Sequence, residues 1–280
     1  MLGVDDPAPA RLYGNVESSN VLLVCEHASK RLPRALDDAY PLHLMETHFG
    51  SDIGAGALLQ RLSELLDVPA IAANYSRIVI DCNRRLSDPT LILSHAEDEV
   101  VGANDALADE DVGARIEAIY APFHATVEAA LDAIRARGQL PVYIALHSFT
   151  PLFAGEQRPW DIGIMWDQDG RVAQPLMAAL AAAGDITVGD NLPYSGREVQ
   201  DFSVDFHAER KGYPCVAIEV RQDHLSTPEG IEHWSQRLAK ALAPITRDRA
   251  LQTPFASSSI HPDFSRELQY LNAINDERRL

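Results

Sequence analysis

The segment Pro141-Val-Tyr-Ile-Ala-Leu-His147 decides the fold class, because it is apolar along its body and polar at its carboxyl end. A short, continuous apolar run of this kind is typical of a strand that is buried on both faces of a sheet. Five other segments share the pattern and are predicted to be strands: 20–26, 69–73, 77–82, 161–166 and 214–220. Strands of this type indicate a sheet covered by helices.

Segments with helical spacing of their apolar residues alternate with these strands. They lie at 55–66, 112–137 and 172–183, and Ser226-Thr-Pro-Glu229 has the form of a capping box that begins a fourth helix. Strands that alternate with helices are typical of α/β proteins. The sequence therefore predicts an α/β fold of three layers, with a mixed, largely parallel central sheet flanked by helices.

The chain length of 280 residues allows one large domain or two small ones. No repeat, low-complexity tract or linker divides the sequence, so we predict one domain. Its main part spans 18–246, and 247–280 is a peripheral C-terminal segment of the same domain. The acidic, irregular segment 88–111 is predicted to be a surface loop.

The charge balance limits the partners that the protein can have. With 24 basic and 41 acidic residues, the formal net charge is −17. Proteins that bind nucleic acid or anionic membranes concentrate Lys and Arg, so neither partner is expected. No apolar stretch approaches the length of a membrane span, and the first residues lack the apolar region of a secretory signal. We therefore expect a cytoplasmic protein, whose oligomeric state the sequence does not indicate.

Polar side chains gather where the predicted strands end. His27 follows the predicted strand at 20–26, and His147 follows the apolar run at 141–146. Because the carboxyl ends of parallel strands share one edge of a sheet, where open α/β folds bind ligands, these residues should meet. The other polar residues at such strand ends are Asp81, Asn83, Arg84, Glu219 and Arg221.

Two imidazoles beside carboxylates are a set of ligands that a divalent metal requires. We predict that His27 and His147 bind zinc, or another divalent metal. Asp52, which precedes the helix at 55–66, is the favoured third ligand, although helix capping is the ordinary role of such an Asp. Glu26 stays an alternative, since strand alternation would direct it away from His27 unless the strand has ended. Zinc lowers the pKa of a bound water, and Glu219 would then be the general base.

Further polar residues have both a functional and an ordinary interpretation. His207 could bind substrate or shuttle protons, or be a solvated loop residue. Arg84, beside Asn83, has the forked donors that suit a carboxylate, and Tyr194 lies in a turn that could cover a cleft. His124 is expected to pack or to form a supporting hydrogen bond. The remaining histidines are predicted to lie on the surface: His43, His48, His95, His224, His233 and His261.

Five motifs occur in an order that resembles the N-formylglutamate amidohydrolase family, over about residues 18–244. They are Cys25-Glu-His-Ala-Ser29, Ile80-Asp-Cys-Asn-Arg84, Leu146-His-Ser-Phe149, Asn191-Leu-Pro-Tyr-Ser-Gly196 and Ala217-Ile-Glu-Val220. The resemblance implies a phosphorylase/hydrolase-like fold related to zinc carboxypeptidases. It also implies hydrolysis of the linear amide of an N-acyl amino acid such as N-formylglutamate, an activity of histidine degradation.

The resemblance also implies roles for individual residues. His27 and His147 match the histidines that hold zinc, and Glu219 matches the general base of carboxypeptidases. The pair Asn83 and Arg84 matches the residues that hold the substrate carboxylate, and we assign Tyr194 and Arg221 to substrate binding with them. Carboxypeptidases take a second ligand from a His-x-x-Glu motif, but Lys30 stands at that place here, so the third ligand must come from elsewhere.

Three alternatives to this function stay open. A zinc carboxypeptidase or a deacylase of longer acyl chains would use the same residues. A non-catalytic protein would bind N-acyl amino acids without hydrolysing them. A cysteine hydrolase would use Cys25 with His147, but all three cysteines lie in apolar runs, where thiols pack as small hydrophobic groups. The sequence lacks a Gly-x-Ser-x-Gly motif and the glycine-rich motifs of nucleotide binding.

Overall fold

The structure is a computed structural model that describes residues 1–198, 202–256 and 263–277. The strands of this described part, in chain order, are β1 (Ala10–Tyr13), β2 (Val21–Cys25), β3 (Ala70–Ala73), β4 (His95–Ala96), β5 (Glu99–Val100), β6 (Val142–Phe149), β7 (Leu152–Phe153), β8 (Glu156–Gln157), β9 (Ile162–Met165), β10 (Val188–Asp190) and β11 (Cys215–Arg221). The apolar runs of the sequence account for the long central strands, since each is buried along its body.

The helices of the described part connect these strands. They are α1 (Leu42–Met45), α2 (Ala55–Leu66), α3 (Asp109–Arg115), α4 (Ala121–Ala136), α5 (Gly170–Ala181), α6 (Phe202–His207), α7 (Pro228–Ile245) and α8 (Ser265–Glu277). A π-helical turn (Ile116–Tyr120) joins α3 to α4, so the predicted helix at 112–137 is one continuous helical region. Short 3₁₀ helices lie at Arg34–Leu36, Gly102–Asn104, Glu209–Lys211, Gln222–Leu225 and Arg249–Gln252.

The main sheet has seven strands in the order β1-β3-β2-β6-β11-β9-β10. The four strands β3, β2, β6 and β11 are parallel to one another, whereas β1 and β9 pair antiparallel at either side of them. Helices α2, α5 and α7 cover one face, and α4, α6 and α8 cover the other. The predicted three-layer α/β fold with a mixed, largely parallel sheet is confirmed.

Both faces of the central strands are buried, which explains their continuous apolar character. In β6, Tyr143 and Ala145 pack into the core beneath α4 and α6, whereas Ile144 and Leu146 pack beneath α2 and α7. Because β2, β6 and β11 run parallel and adjacent, their carboxyl ends lie together at one edge. The loops that follow β2, β6 and β11 in the chain therefore begin at the same edge of the sheet.

One strand prediction is wrong. The segment 77–82 forms turns instead of joining the sheet, although its residues Ile78–Ile80 are buried. Its backbone carbonyl groups accept from side chains that come from elsewhere: Asn104 donates to Ile78 O, and the buried Arg115 donates to Val79 O. These bonds take the place of a strand ladder, because buried carbonyl groups must find a donor. The segment crosses the end of the sheet and carries Asp81 to it.

The start of α7 and the C-terminal segment also differ from the sequence prediction. Thr227, not Ser226, caps α7, since its hydroxyl accepts from the Gly230 N–H at 3.1 Å. The C-terminal segment forms α8, and Phe264 and Leu271 enter the core beside α4. The division into 18–246 and 247–280 stays a prediction. Among the described residues, no helix combines the length and apolar character that a membrane span requires.

The segment 88–111 contains more structure than a surface loop. It forms the β4–β5 hairpin, a 3₁₀ turn and the first residues of α3. Asn104 in this segment is buried and also accepts a hydrogen bond from Tyr40. This segment therefore supports the turns at 77–82 from outside.

Candidate active site

A pocket with a cavity volume of about 130 Å³ opens at the carboxyl ends of β2, β6 and β11. Loops that begin at this edge form its wall. Among the residues predicted from the sequence, the following line it: His27, Asp52, Asn83, Arg84, His147, Tyr194 and Glu219. The predicted convergence of polar strand ends thus occurs at the edge where α/β folds bind ligands.

Two imidazoles and one carboxylate form the floor of the pocket. His27 follows β2, and its backbone carbonyl accepts from the Asp52 N–H at 3.0 Å, which fixes Asp52 beside it. Oδ2 of Asp52 lies 3.4 Å from Nδ1 of His27 and 2.9 Å from Nδ1 of His147. One ligand atom from each residue lies within 4.8 Å of the others, so this buried group could hold a metal ion.

Asp52 does not have the helix-capping role that its position suggests. Gly54, with a φ of 78°, stands at the N-cap of α2. The Asp52 carboxylate instead faces the two imidazoles, and its Oδ2 also lies 3.3 Å from the Ser148 N–H. Its carboxylate is therefore available to the pocket instead of to the helix.

Each imidazole has a second carboxylate on its far side. Nε2 of His27 lies 2.7 Å from Oδ1 of Asp81, and Nε2 of His147 lies 3.3 Å from Oε2 of Glu26. Strand β2 ends at Cys25, so Glu26 and His27 lie in a turn and both reach the same site. Carboxylates behind histidine ligands are a recurrent feature of zinc sites, because they fix the ring and its tautomer.

The charges of this group fit a divalent cation. Glu26, Asp52 and Asp81 are buried carboxylates, and Arg77 is the cation that pairs with two of them, at 2.6 Å from Asp81 and 3.4 Å from Asp52. Three negative charges and one positive charge leave a charge of −2 when both imidazoles are neutral. A buried charge of this size must be compensated, and a divalent ion would do so.

The pKa shifts show how strongly the carboxylates and the imidazoles of this group interact. Burial alone would raise the pKa of the Asp52 carboxyl, but His27 and His147 hold it below its usual range. Burial would likewise lower the pKa of His147, yet Asp52 and Glu26 raise it well above its usual value. Glu26 has a pKa of about 2, since His147 outweighs the effect of burial. The carboxylates are therefore ionised at neutral pH, as metal ligands and their supports must be.

Glu219 lies directly beside this group. It is in register with His147 on the neighbouring strand β11, so both side chains leave the same face of the sheet. Its side chain is buried and lines the pocket. A carboxylate in this position can accept a proton from a group held at the floor of the pocket.

Asn83 and Arg84 form another part of the wall. The turn at Asp81 holds them, because Oδ1 of Asp81 accepts from the Asn83 N–H at 2.8 Å. Nη1 of Arg84 donates to Asn83 O, and Tyr120 of the π-helical turn donates to Arg84 O at 2.8 Å. These bonds orient the guanidinium toward the pocket that it lines.

A family model of N-formylglutamate amidohydrolases matches residues 19–226 of the chain. The match spans more than half of the sequence and includes every pocket residue predicted from it. The chain belongs to the N-formylglutamate amidohydrolase family. Membership confirms the prediction of a hydrolase that acts on amide bonds, an amidohydrolase of the N-formylglutamate type.

Two solved structures are similar to this member of the N-formylglutamate amidohydrolase family. Gene product Atu2144 from Agrobacterium tumefaciens is 30% identical, with a TM-score of 0.81, over 87% of this chain and 98% of that one. The N-formylglutamate amidohydrolase from Ralstonia eutropha JMP134 is 20% identical, with a TM-score of 0.65, over 86% of this chain and 97% of that one. The second likeness concerns the fold. None of the curated protein sequences matches the chain.

Two predicted site residues of this amidohydrolase lie away from the pocket. Arg221 ends β11, but its guanidinium pairs with Asp161 and Asp223 at 3.2 and 2.8 Å. His207 is buried in α6, where it bonds to His124 and Glu128. Neither residue lines the pocket, because local ion pairs and core packing hold both side chains. The prediction that His124 forms a supporting hydrogen bond agrees with its contact to His207.

The predictions that His48 and His224 lie on the surface are also wrong. His48 lines the pocket, and burial lowers its pKa. His224 is half-buried and contacts Asp161 at 2.8 Å. No apolar pattern or motif surrounds either residue in the sequence, so only their position in the fold distinguishes them. His261 lies outside the described residues.

The cysteine alternative has no support in this structure. Cys25 is fully buried, and burial, followed by the charges of Asp52 and Glu26, raises the pKa of its thiol well above the usual value. A thiol in this state is a poor nucleophile, because the thiolate is the reactive form. Cys82 is likewise buried with a raised pKa.

Proposed function

We propose that the protein is a zinc-dependent amidohydrolase that cleaves the linear amide of an N-formyl or other N-acyl amino acid, such as N-formylglutamate. The observation that carries the proposal is the pair of buried imidazoles that share Asp52 while Glu219 stands beside them. Family membership supports the amide bond as the target. The cytoplasmic location and the part in histidine degradation stay predictions.

His27, His147 and Asp52 would hold the ion, through the two Nδ1 atoms and Oδ2. A divalent ion at this place supplies a Lewis acid that polarises the amide carbonyl and lowers the pKa of water. Asp81 and Glu26 would keep both rings oriented from behind, through their contacts with the two Nε2 atoms. Arg77 would keep Asp81 and Asp52 ionised.

Glu219 would accept the proton of the attacking water and deliver it to the leaving amine. The C–N bond then breaks, and the products are a carboxylate, formate for an N-formyl substrate, and the free amino acid. The forked guanidinium of Arg84 would hold the carboxylate of the amino acid, and Asn83 would line the same wall. Tyr194 would cover the bound substrate, because it lines the pocket from the opposite loop.

The decisive experiment is the variant Glu219→Gln, tested with the zinc-loaded protein. General-base catalysis contributes about 10²–10⁴-fold, so kcat should fall by about 10³-fold while KM changes little. Zinc content, measured by elemental analysis, should not change. Near-normal turnover by Glu219→Gln would overturn the assignment.

Glu198→Gln is the matched control, since Glu198 is another glutamate of the pocket wall. We expect a much smaller loss from this variant, because Glu198 is not paired in register with His147. A panel of N-formyl, N-acetyl and dipeptide substrates separates this function from a deacylase or a carboxypeptidase. Binding of these compounds without turnover by the zinc-loaded wild type would instead show a non-catalytic binding protein.

A further inference from the structure

An arginine that packs against the wall of the pocket has no role in the function proposed above. Arg158 follows the β7–β8 hairpin, which extends directly from the strand that carries His147. Its N–H donates to Pro151 O at 2.8 Å and closes the base of the hairpin. The hairpin therefore connects Arg158 rigidly to the strand that forms the floor of the pocket.

The Arg158 guanidinium lies against aromatic rings, two of which belong to the pocket wall. It is 4.9 Å from the ring centre of Tyr194 and 5.9 Å from that of Phe149, and both of these residues line the pocket. A third ring, that of Phe153 in the hairpin, lies 4.6 Å away on the outer side. The charge thus lies directly behind two residues of the pocket wall, where the three rings attract it.

The hydrogen-bond donors of Arg158 are mostly uncommitted. Nη1 donates to the Tyr194 hydroxyl at 2.9 Å, and no ion pair joins Arg158 to an Asp or Glu of the part of the chain that the structure describes. Arg77, the cation deeper in the same pocket, is instead committed to Asp52 and Asp81. Arg158 consequently keeps its charge and its fork for a group that enters from solvent.

The acidic surroundings make this cation necessary for a dianionic substrate. Asp52, Glu198 and Glu219 line the pocket, and the whole chain carries a net charge of −17. Arg84 can neutralise one carboxylate. Because Arg77 is committed to Asp52 and Asp81, a second anionic group of the substrate would face these carboxylates unless another cation received it.

We propose that Arg158 is a specificity-determining residue that recognises a second carboxylate of the substrate, other than the one held by Arg84. This proposal rests on the proposed function, because it assumes that an N-acyl amino acid occupies the pocket. It predicts that N-acyl derivatives of dicarboxylic amino acids are preferred over neutral derivatives of the same shape. The aromatic neighbours keep the guanidinium in place, and its free edge forms the bonds.

The test compares N-formylglutamate with N-formylglutamine, its isostere with a neutral side chain, in the zinc-loaded wild type and in Arg158→Met. A charged hydrogen bond of this kind is worth roughly 10- to 100-fold in affinity. We expect Arg158→Met to lower kcat/KM for N-formylglutamate by about that factor and to change it for N-formylglutamine by less than about 3-fold. Arg158→Lys should lie between, because Lys keeps the charge but not the fork.

Arg197→Met is the matched control. Arg197 also lies over an aromatic ring, 5.2 Å from that of Trp166, but Trp166 does not line the pocket, whereas Tyr194 and Phe149 do. We expect it to affect both substrates equally and weakly. Equal losses for both substrates in Arg158→Met would overturn the proposal, since they would show that Arg158 only supports the pocket wall or binds the common carboxylate. An unchanged preference would overturn it as well.

A binding measurement separates failure of this proposal from failure of the proposed function. Calorimetry with glutarate and with its monoamide needs no turnover. If the wild type hydrolyses neither the N-formyl substrates nor the N-acetyl substrates of the panel, the proposed function fails. A loss of glutarate binding in Arg158→Met, with monoamide binding retained, would still support recognition by Arg158. Equal glutarate binding by the wild type and Arg158→Met would overturn it.

Discussion

Two pairs of buried histidines in this protein have nearly equal ring spacing, but their surroundings shift histidine pKa values in opposite directions. The ring centres of His27 and His147 are 5.0 Å apart, and those of His124 and His207 are 5.1 Å apart. In the first pair, both Nδ1 atoms face one oxygen of Asp52. In the second pair, Nδ1 of His124 lies 2.9 Å from Nε2 of His207, so the rings bond to each other. When two imidazoles share a carboxylate, the ring nitrogens that face it can also face an ion. Two ring nitrogens that bond directly to each other cannot.

The two pairs also differ in the charged residues that surround them. The second pair has one carboxylate, Glu128, which bonds to His207 at 2.6 Å and is neutralised by Lys211 at 2.6 Å. Burial therefore dominates there and lowers the pKa of both His124 and His207. In the first pair, the carboxylates raise the pKa of His147 despite equal burial. Burial and residue type alone do not distinguish the candidate metal site from the second pair; the number of uncompensated carboxylates does.

The largest effect expected from this comparison concerns the metal itself. His147→Asn should reduce bound zinc from about one ion per chain to almost none, and kcat/KM by about 10³-fold or more, because a ligand is lost. His207→Asn, the matched variant in the second pair, should keep its zinc. Elemental analysis after dialysis and steady-state kinetics measure both quantities. If His207→Asn lost its zinc while His147→Asn kept it, the distinction between the two pairs would be contradicted.

A smaller effect is expected from the carboxylate behind His27. Asp81→Asn should weaken zinc affinity by about 10- to 100-fold, because the amide orients and polarises the ring less strongly than a carboxylate does. Competition with a chelator measures the zinc affinity. Glu128→Gln is the control, since Glu128 contacts His207 as Asp81 contacts His27, and its zinc affinity should equal that of the wild type. Equal affinities for all three proteins would show that the outer carboxylate has no such role.

The smallest effect is a pH dependence of stability in the second pair. Burial raises the pKa of Glu128, but His207 and Lys211 outweigh it and lower the pKa from 4.5 to about 2. The stabilisation is fully present above pH 4.5 and is lost as the pH falls toward 2. The shift corresponds to at most about 3 kcal/mol.

Urea unfolding of the wild type and of Glu128→Gln measures this contribution at several pH values. The variant should have the lower free energy of unfolding at pH 7, by about 1–3 kcal/mol. The difference should shrink as the pH is lowered below about 4.5. A difference that stayed constant down to pH 3 would show that the Glu128 charge contributes nothing.

Much of the fold could be predicted because burial on both faces of a strand is visible in a short segment. The runs that form β2, β6 and β11 are apolar along their bodies, and the residues of the pocket stand at or directly after their carboxyl ends. The segment 77–82 has the same local character but is not a strand. Its carbonyl groups are satisfied by Asn104 and Arg115, and no local pattern reveals partners that far along the chain.

The candidate site divides in the same way. His27, His147 and Glu219 could be proposed from the sequence, because each stands at or directly after the end of an apolar strand. The sequence also favoured Asp52 over Glu26 as the third ligand, but only the fold shows that Glu26 lies behind His147. No local pattern marks His48, which a loop brings to the pocket, or Arg158, which packs against the pocket residues Tyr194 and Phe149. The prediction for Arg221 was wrong because Asp161 and Asp223 hold its guanidinium.

The sequence by itself determined the buried strands β2, β6 and β11 and the side chains that stand at their carboxyl ends, because apolar continuity is a property of neighbouring residues. The tertiary structure alone decided which carboxylates surround each of the buried histidines. Four histidines of equal burial became two different pairs, according to the carboxylates that distant segments bring to them. Electrostatic environment depends on contacts across the fold, and a linear pattern of residue types does not record such contacts.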